Sequence, residues 1–318
     1  AFDKLEFYLS PKEVSPYFPR HIHIEPTNAC NLKCIHCHHH EGSRKNGVFT
    51  RKRGFMRMDL YRKVIDEIAP LNCRISLDCQ GEPLLHKGII EMVQYAKNKG
   101  ISISLLTNGS LLKPETADSL IKNGLDRIVF SFDAVEKQLY EAIRKDGNFD
   151  KTLKNITYFI EQNHKSGHKT FVCMSIIVQD MTREHIKEYK QFFENHPIDT
   201  VFESQILNMS GGTGVSDDFQ MEEKKKTPQE EWPVCRIPWE NIVVNWDGLV
   251  TVCPLDFNGT YIAGDVNNNT LKEIWNNKKY QVFRKSHLEK DYSQIEKTRS
   301  LCSECSCLWD PEYDLKNY

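Results

Sequence analysis

Between residues 21 and 207 six short apolar runs recur, HIHIE, RISLDC, ISISLLTNG, RIVFSFDA, FVCMSIIVQ and TVFESQIL, and the gaps between them leave room for helices. Runs this short and this continuously apolar suit a parallel sheet whose outer face is covered by helices. In MDLYRKVIDEIAP, Leu60, Val64, Ile65 and Ile68 fall on one helical face, and Ile186, Tyr189 and Phe193 repeat that spacing later. The pattern predicts an α/β chain built as a partial (β/α)6 barrel over 21–207, preceded by an N-terminal extension, 1–20. Its chemistry should sit on the loops that follow the strand C-termini.

The stretch from Asn208 to Pro233 is rich in glycine and charge and has no apolar periodicity, so 208–234 reads as a linker or mobile loop. A smaller module is expected over 235–318. It opens with Cys235 and the run NIVVNWDGLVTVC, in which Trp246-Asp247-Gly248 interrupts two β-rich stretches as a hairpin turn would. A helix from Leu271 to about Leu288 should follow. A length of 318 residues accommodates one barrel-sized domain plus such a module.

With 42 Lys and Arg against 44 Asp and Glu, the net charge of -2 supplies no global basic field for nucleic acid. No apolar run reaches membrane-spanning length, and AFDKLEFYLS lacks the basic flank and apolar stretch of a signal peptide. Neither a membrane nor a nucleic acid is expected as a partner, and a cytoplasmic location is.

Eleven cysteines are present, and eight gather in two sets, Cys30/Cys34/Cys37 and Cys235/Cys253/Cys302/Cys305/Cys307. In a reducing compartment such clustering favours metal over disulfides. Cys73, Cys79 and Cys173 lie in or beside apolar strand runs, where a buried inert thiol is the default. The first set, in CNLKCIHCHHH, leaves a metal centre one ligand short. Either His36, His38, His39 or His40 completes a zinc site, or the last position stays open for chemistry. Otherwise His38 to His40 read as a polar loop near solvent.

The C-x3-C-x2-C loop after a first strand, followed in order by QGEP (Gln80 to Pro83), TNG (Thr107 to Gly109) and SFD (Ser131 to Asp133), resembles the radical S-adenosylmethionine superfamily. The resemblance implies that Cys30, Cys34 and Cys37 bind a 4Fe-4S cluster through three irons, with S-adenosyl-L-methionine on the fourth. It implies that Gly81, Glu82 and Pro83 hold the methionyl ammonium, and that Asn108, Ser131 and Asp133 contact carboxylate and ribose. Two positions depart from the family pattern. Gln80 replaces a usual glycine, and His36 stands where an aromatic ring commonly stacks near adenine.

Cys235, Cys253, Cys302 and Cys305, with Gly248 inside the first pair, resemble the Twitch form of the SPASM extension, which implies one auxiliary 4Fe-4S cluster. An all-cysteine zinc site is the competing reading. Cys307 is left over, either spare or a hydrogen-atom donor, and Cys79 is its rival. The implied activity is hydrogen abstraction from a small polar substrate, such as a sugar, aminocyclitol or nucleoside, leading to oxidation. The electron would come from a flavodoxin or ferredoxin. The short segment before the first strand is expected to leave no room for a leader-peptide domain. An epimerase using a cysteine donor, a peptide or protein maturase, and a non-enzymatic zinc-bound interaction module are the alternatives.

Overall fold

A computed structural model describes residues 10–38, 49–205, 227–296, 301–303 and 305–309. The expected linker lies outside the described residues up to position 226, as do His39 and His40. The strands are β1 (His21–Ile24), β2 (Lys33–Cys34), β3 (Arg74–Leu77), β4 (Ser102–Thr107), β5 (Arg127–Ser131), β6 (Arg144–Lys145), β7 (Phe171–Val178), β8 (Thr200–Gln205), β9 (Asn241–Val244), β10 (Leu249–Thr251) and β11 (Ile262–Asp265). All six apolar runs of the barrel segment are strands, in the order β1-β3-β4-β5-β7-β8, and every neighbouring pair among them is parallel.

Parallel neighbours need crossovers, and helices supply them: Met58–Ile68, Ile89–Asn98, Pro114–Lys122, Phe149–Lys165 and Ile186–Glu194. Their apolar stripes meet one face of the sheet. Ile22, Ile24, Ile75, Leu77, Ile103, Leu105, Ile128, Phe130, Val172 and Met174 are sealed there with Val64, Ile65, Met92, Val93, Ile156 and Phe159. Side chains alternate along a strand, so the intervening residues line the other, concave face. On that face stand His21, His23, Ser76, Ser104, Ser131, Ser175 and Ser204. Hydrogen bonds join His21 to Ser76 at 2.6 Å, Ser76 to Ser104 at 2.6 Å and Ser175 to Ser204 at 3.1 Å.

The expected hairpin forms around Gly248, whose φ of +92° is a conformation that side-chain-bearing residues rarely adopt. It does not stand apart from the barrel. β9 pairs in parallel with the free side of β1, with Ile22 opposite Ile242, so that β9, β10 and β11 extend the sheet to nine strands. Two local expectations need correction. The third strand β11, with the sequence Ile-Ala-Gly-Asp, has too little β-branched character to stand out. The single helix expected from Leu271 is two, Leu271–Trp275 and Lys278–Glu289. The break falls where Asn277 turns out of the helix and its side chain accepts a hydrogen bond from the Tyr280 amide, starting a new helix.

A buried ion pair fastens the hairpin to the barrel. Glu25, one residue past β1, is fully enclosed and accepts both guanidinium contacts of Arg51, at 2.9 and 2.6 Å, and the Trp246 amide at 3.2 Å. Replacing Arg51 by Met strands a buried carboxylate and should cost about 3–5 kcal/mol. Thermal unfolding should show a clear fall in Tm for Arg51→Met, partly recovered in the Glu25→Gln/Arg51→Met double variant. An unchanged Tm in the single variant would remove the clamp.

Candidate active site

The loop after β1 is held by two of its side chains and one of its backbone carbonyls. Thr27 donates to the Gly54 carbonyl at 2.6 Å, Asn28 donates to the Lys52 carbonyl at 2.8 Å, and the Ala29 carbonyl accepts from the Glu82 amide at 2.8 Å. Cys34 lies in β2, which pairs antiparallel with β6, so a second small sheet grips the middle of the thiol loop. The Arg144 guanidinium at the start of β6 reaches the Cys34 sulfur at 3.8 Å. Burial pushes Cys30 up to about 11 and Cys34 up to about 12. Without a metal both are protonated thiols, and a metal that binds them must release those protons.

Gly81-Glu82-Pro83 crosses directly beneath this loop. Gly81 has φ +80°, and a Cβ there would lie 2.5 Å from the carbonyl oxygens of both Thr27 and Ala29, so only glycine permits the approach. The Glu82 carboxylate is buried. It accepts from Thr107 at 2.6 Å, from the Asn108 amide at 2.8 Å and from the Leu84 amide at 3.0 Å. It therefore joins the GEP and TNG segments into one unit, and its ordinary pKa is raised by burial against those opposing bonds. Asn108 is tied to the thiol loop through Asn31, at 3.2 Å.

Asp133, after β5, is fully enclosed. It pairs with Arg144 at 2.8 Å and accepts from the Ile177 amide at 3.0 Å, with His36 Nε2 at 4.0 Å. Asp133 and Arg144 thus form a support behind Cys34, and Arg144 was not legible as a site residue in AIRKDG. Ser131, at the end of β5, lies half-buried on the concave face. His38 corrects the expectation of a polar loop near solvent. It is buried, donates to Gln80 at 2.7 Å and stacks on Phe257 with ring centroids 3.8 Å apart. Gln80, the departure from the family's glycine, is its partner, so the two unusual residues serve one contact.

Cys235, Cys253, Cys302 and Cys305 converge from the hairpin and the C-terminal loop, and each of the first three thiols is raised by burial and by the neighbouring cysteines. Cys235 is pushed up to about 12. His287 Nε2 lies 3.4 Å from the Cys302 sulfur, a contact that nothing in the helix pattern announces. Cys307 is buried, and its hydrogen bond to Cys305 lowers that thiol. Cys79 lies directly after Asp78 at the end of β3, half-buried, with φ +73°. A cavity of about 850 Å³ opens at the opposite ends of the strands, around Arg20, His21, Arg74, Arg236 and Glu240, with Arg236 directly following Cys235.

Tetrahedral zinc with bonds of about 2.3 Å to sulfur needs its thiolates roughly 3.8 Å apart. Among the described residues, the group of His, Cys, Asp or Glu ligand atoms within 4.8 Å of one another is His23, Asp78 and Cys79, and no three thiols of either set come that close. Three and four thiols that sense one another electrostatically are the all-cysteine donor sets that hold iron-sulfur clusters. The residues present therefore fit a three-thiolate and a four-thiolate iron-sulfur cluster.

The comparisons with known proteins agree. The model of the radical SAM superfamily matches residues 24–193, and that of SPASM, an iron-sulfur cluster-binding domain, matches residues 235–306. An AdoMet-dependent heme synthase of Methanosarcina barkeri is 33% identical over 139 residues, 43% of this chain and 38% of that protein. The chain spans about half the length or less of several curated relatives it matches. Among solved structures, BtrN in complex with AdoMet and 2-DOIA superposes with a TM-score of 0.59 at 19% identity, covering 92% of this chain and 94% of that one. SuiB of Streptococcus suis bound to precursor peptide SuiA gives 0.67 at 15% identity, covering 89% of this chain and 69% of that one. The two matched domains imply a 4Fe-4S cluster that binds S-adenosyl-L-methionine and an auxiliary iron-sulfur cluster. Replacing Cys30, Cys34 and Cys37 together by Ala should remove about half the iron and all cleavage of that cofactor, leaving the second cluster. Stoichiometric zinc without sulfide in anaerobically purified protein would contradict this. With a superfamily match across its barrel and both thiol sets built to suit clusters, the chain belongs to the radical SAM superfamily.

Proposed function

We propose that this chain oxidises a small polyhydroxylated substrate such as a sugar, aminocyclitol or nucleoside. The observation that carries this reading is the concave barrel face, lined by His21, His23, Ser76, Ser104, Ser131, Ser175 and Ser204. Barrels that fill their interior for stability use branched apolar side chains, whereas this face sets hydroxyls and imidazoles among Val129, Cys173 and Phe202, giving a substrate polar partners as well as apolar walls. The solved relative BtrN, with AdoMet and 2-DOIA, is consistent with it.

Cys30, Cys34 and Cys37 would hold the first cluster, which would supply one-electron reduction of bound S-adenosyl-L-methionine and so the means to abstract a hydrogen atom from the substrate, with a flavodoxin- or ferredoxin-type protein as electron donor. The chain's own residues do the holding. Glu82 offers its carboxylate to the methionyl ammonium alongside Thr107, while Gly81 gives the backbone room and Pro83 fixes the turn. Asn108 and Ser131 reach the carboxylate and ribose, and His36 gives adenine a flat surface. Asp133, enclosed with Arg144, acts on the site by holding the Cys34 side of the loop. The domain bounds 21–207 and 235–318 serve as working limits of the barrel and the auxiliary module.

Glu82→Gln removes the charge while keeping an acceptor for Thr107. Affinity for S-adenosyl-L-methionine should fall roughly 10- to 100-fold, about 1.5–3 kcal/mol, with iron content unchanged. Unaltered affinity would refute the assignment.

Oxidation needs no thiol donor, and Cys307 is occupied with Cys305. Anaerobic incubation with reductant, S-adenosyl-L-methionine and a panel of polyols should give substrate-dependent 5'-deoxyadenosine and a product two hydrogens poorer. In deuterated water that product should carry no deuterium at the abstracted carbon, and Cys307→Ala should keep the ratio of product to 5'-deoxyadenosine. Deuterium at that carbon, with product lost in Cys307→Ala or Cys79→Ala while 5'-deoxyadenosine persists, would make the enzyme an epimerase. Turnover with peptides alone would favour the maturase reading, which SuiB with its precursor peptide keeps in view.

A further inference from the structure

One polar cluster on the concave face is not used by the cysteine loops. His23, on β1, aims Nδ1 at both carboxylate oxygens of Asp78, 2.9 Å from each. Its other nitrogen, Nε2, lies 3.1 Å from Asn241 Oδ1 on β9. An amide oxygen can only accept, so Asn241 fixes Nε2 as the N–H and leaves Nδ1 to face the carboxylate. In the absence of a metal the ring carries a second proton and donates from Nδ1 to the carboxylate as an ion pair, so a cation that bound here would displace that proton. The Cys79 sulfur comes within 3.4 Å of Asp78 Oδ1, and the three ligand atoms all fall within 4.8 Å of one another.

We propose that His23, Asp78 and Cys79 form a third metal centre, for a single zinc-type divalent cation. Without a metal the Cys79 thiol donates to Asp78 Oδ1, and the same sulfur gives the group a third ligand type beside the imidazole and the carboxylate. Imidazole, carboxylate and thiolate are together the ligand types of zinc, and their three ligand atoms converge within 4.8 Å of one another. The Asn241 carbonyl on the far ring nitrogen is the outer contact that metal-bound histidines characteristically make. Three protein ligands leave one position. The His23 and Asp78 side chains are 12% and 16% exposed, so a water or a substrate oxygen can reach it from the barrel face. The group stands directly before Gln80 and Gly81, next to the segment that meets the thiol loop. This inference goes beyond the proposed oxidation and stands or falls without it, because its test reads metal content rather than turnover.

Holoenzyme with both clusters assembled anaerobically should be dialysed against buffered Zn²⁺ and analysed for zinc, iron and sulfide. One zinc per chain is expected on top of full iron. The zinc-edge X-ray absorption spectrum should show a single sulfur at about 2.3 Å with nitrogen and oxygen as the other ligands. His23→Gln, Asp78→Asn and Cys79→Ser should each lose the zinc and keep the iron, and Asn241→Leu should weaken zinc binding about 10- to 100-fold. Zinc-free holoenzyme with full iron would mean that a proton alone joins His23 to Asp78, and would overturn the proposal. A spectrum with four sulfurs would overturn it too, because the zinc would then sit in the second cysteine set. The wild-type spectrum decides between these even if a variant fails to fold.

Discussion

The molecule depends on β1 being paired on both sides. Four residues, His21 to Ile24, hydrogen-bond in parallel to β3 on one edge and to β9 on the other. In most barrels the first strand's free side is closed by the last barrel strand. Here it is closed by the auxiliary module, so the strand that launches the first thiol loop is also the strand on which the second thiol set is built. Glu25, one residue on, repeats the arrangement in side chains, taking Arg51 from the returning loop and the Trp246 amide from the hairpin. A shift of β1 by one residue would turn His21 and His23 into the helix-covered core and misdirect Cys30, Cys34 and Cys37.

Three loops then meet above the strand ends with little freedom left. Gly81 touches the thiol loop's carbonyls, Glu82 binds the TNG segment, and Asn108 returns to Asn31. His38 closes the set by bridging Gln80 to Phe257 of the auxiliary module. Any molecule seated at the first thiol set would therefore feel the second module through packed side chains as well as through the sheet.

Much of this was legible in the chain. The six barrel strands announce themselves because parallel strands are buried along their length, and the cysteine spacings because ligands of one metal centre must come from one loop or from loops with a shared anchor. What was not legible is long-range. Nothing in NIVV says that it will pair with HIHI, some 220 residues away, since two apolar runs carry no address. Arg144 reads as an ordinary basic residue after a helix until β6 brings it to Cys34, and His287 as a helix position until the C-terminal loop folds over it. His38 was misjudged because polar residues are usually exposed, and only the unpredicted Gln80 and Phe257 explain its burial.

The central claim is that one thiol set leaves an iron open and the other does not. Mössbauer spectroscopy of protein assembled with ⁵⁷Fe, recorded with and without S-adenosyl-L-methionine, tests it directly. A single iron site should change its parameters when the cofactor binds, with every other iron unaltered, and that change should vanish when Cys30, Cys34 and Cys37 are replaced. Spectra that do not respond to the cofactor, or that respond in both clusters, would contradict the account.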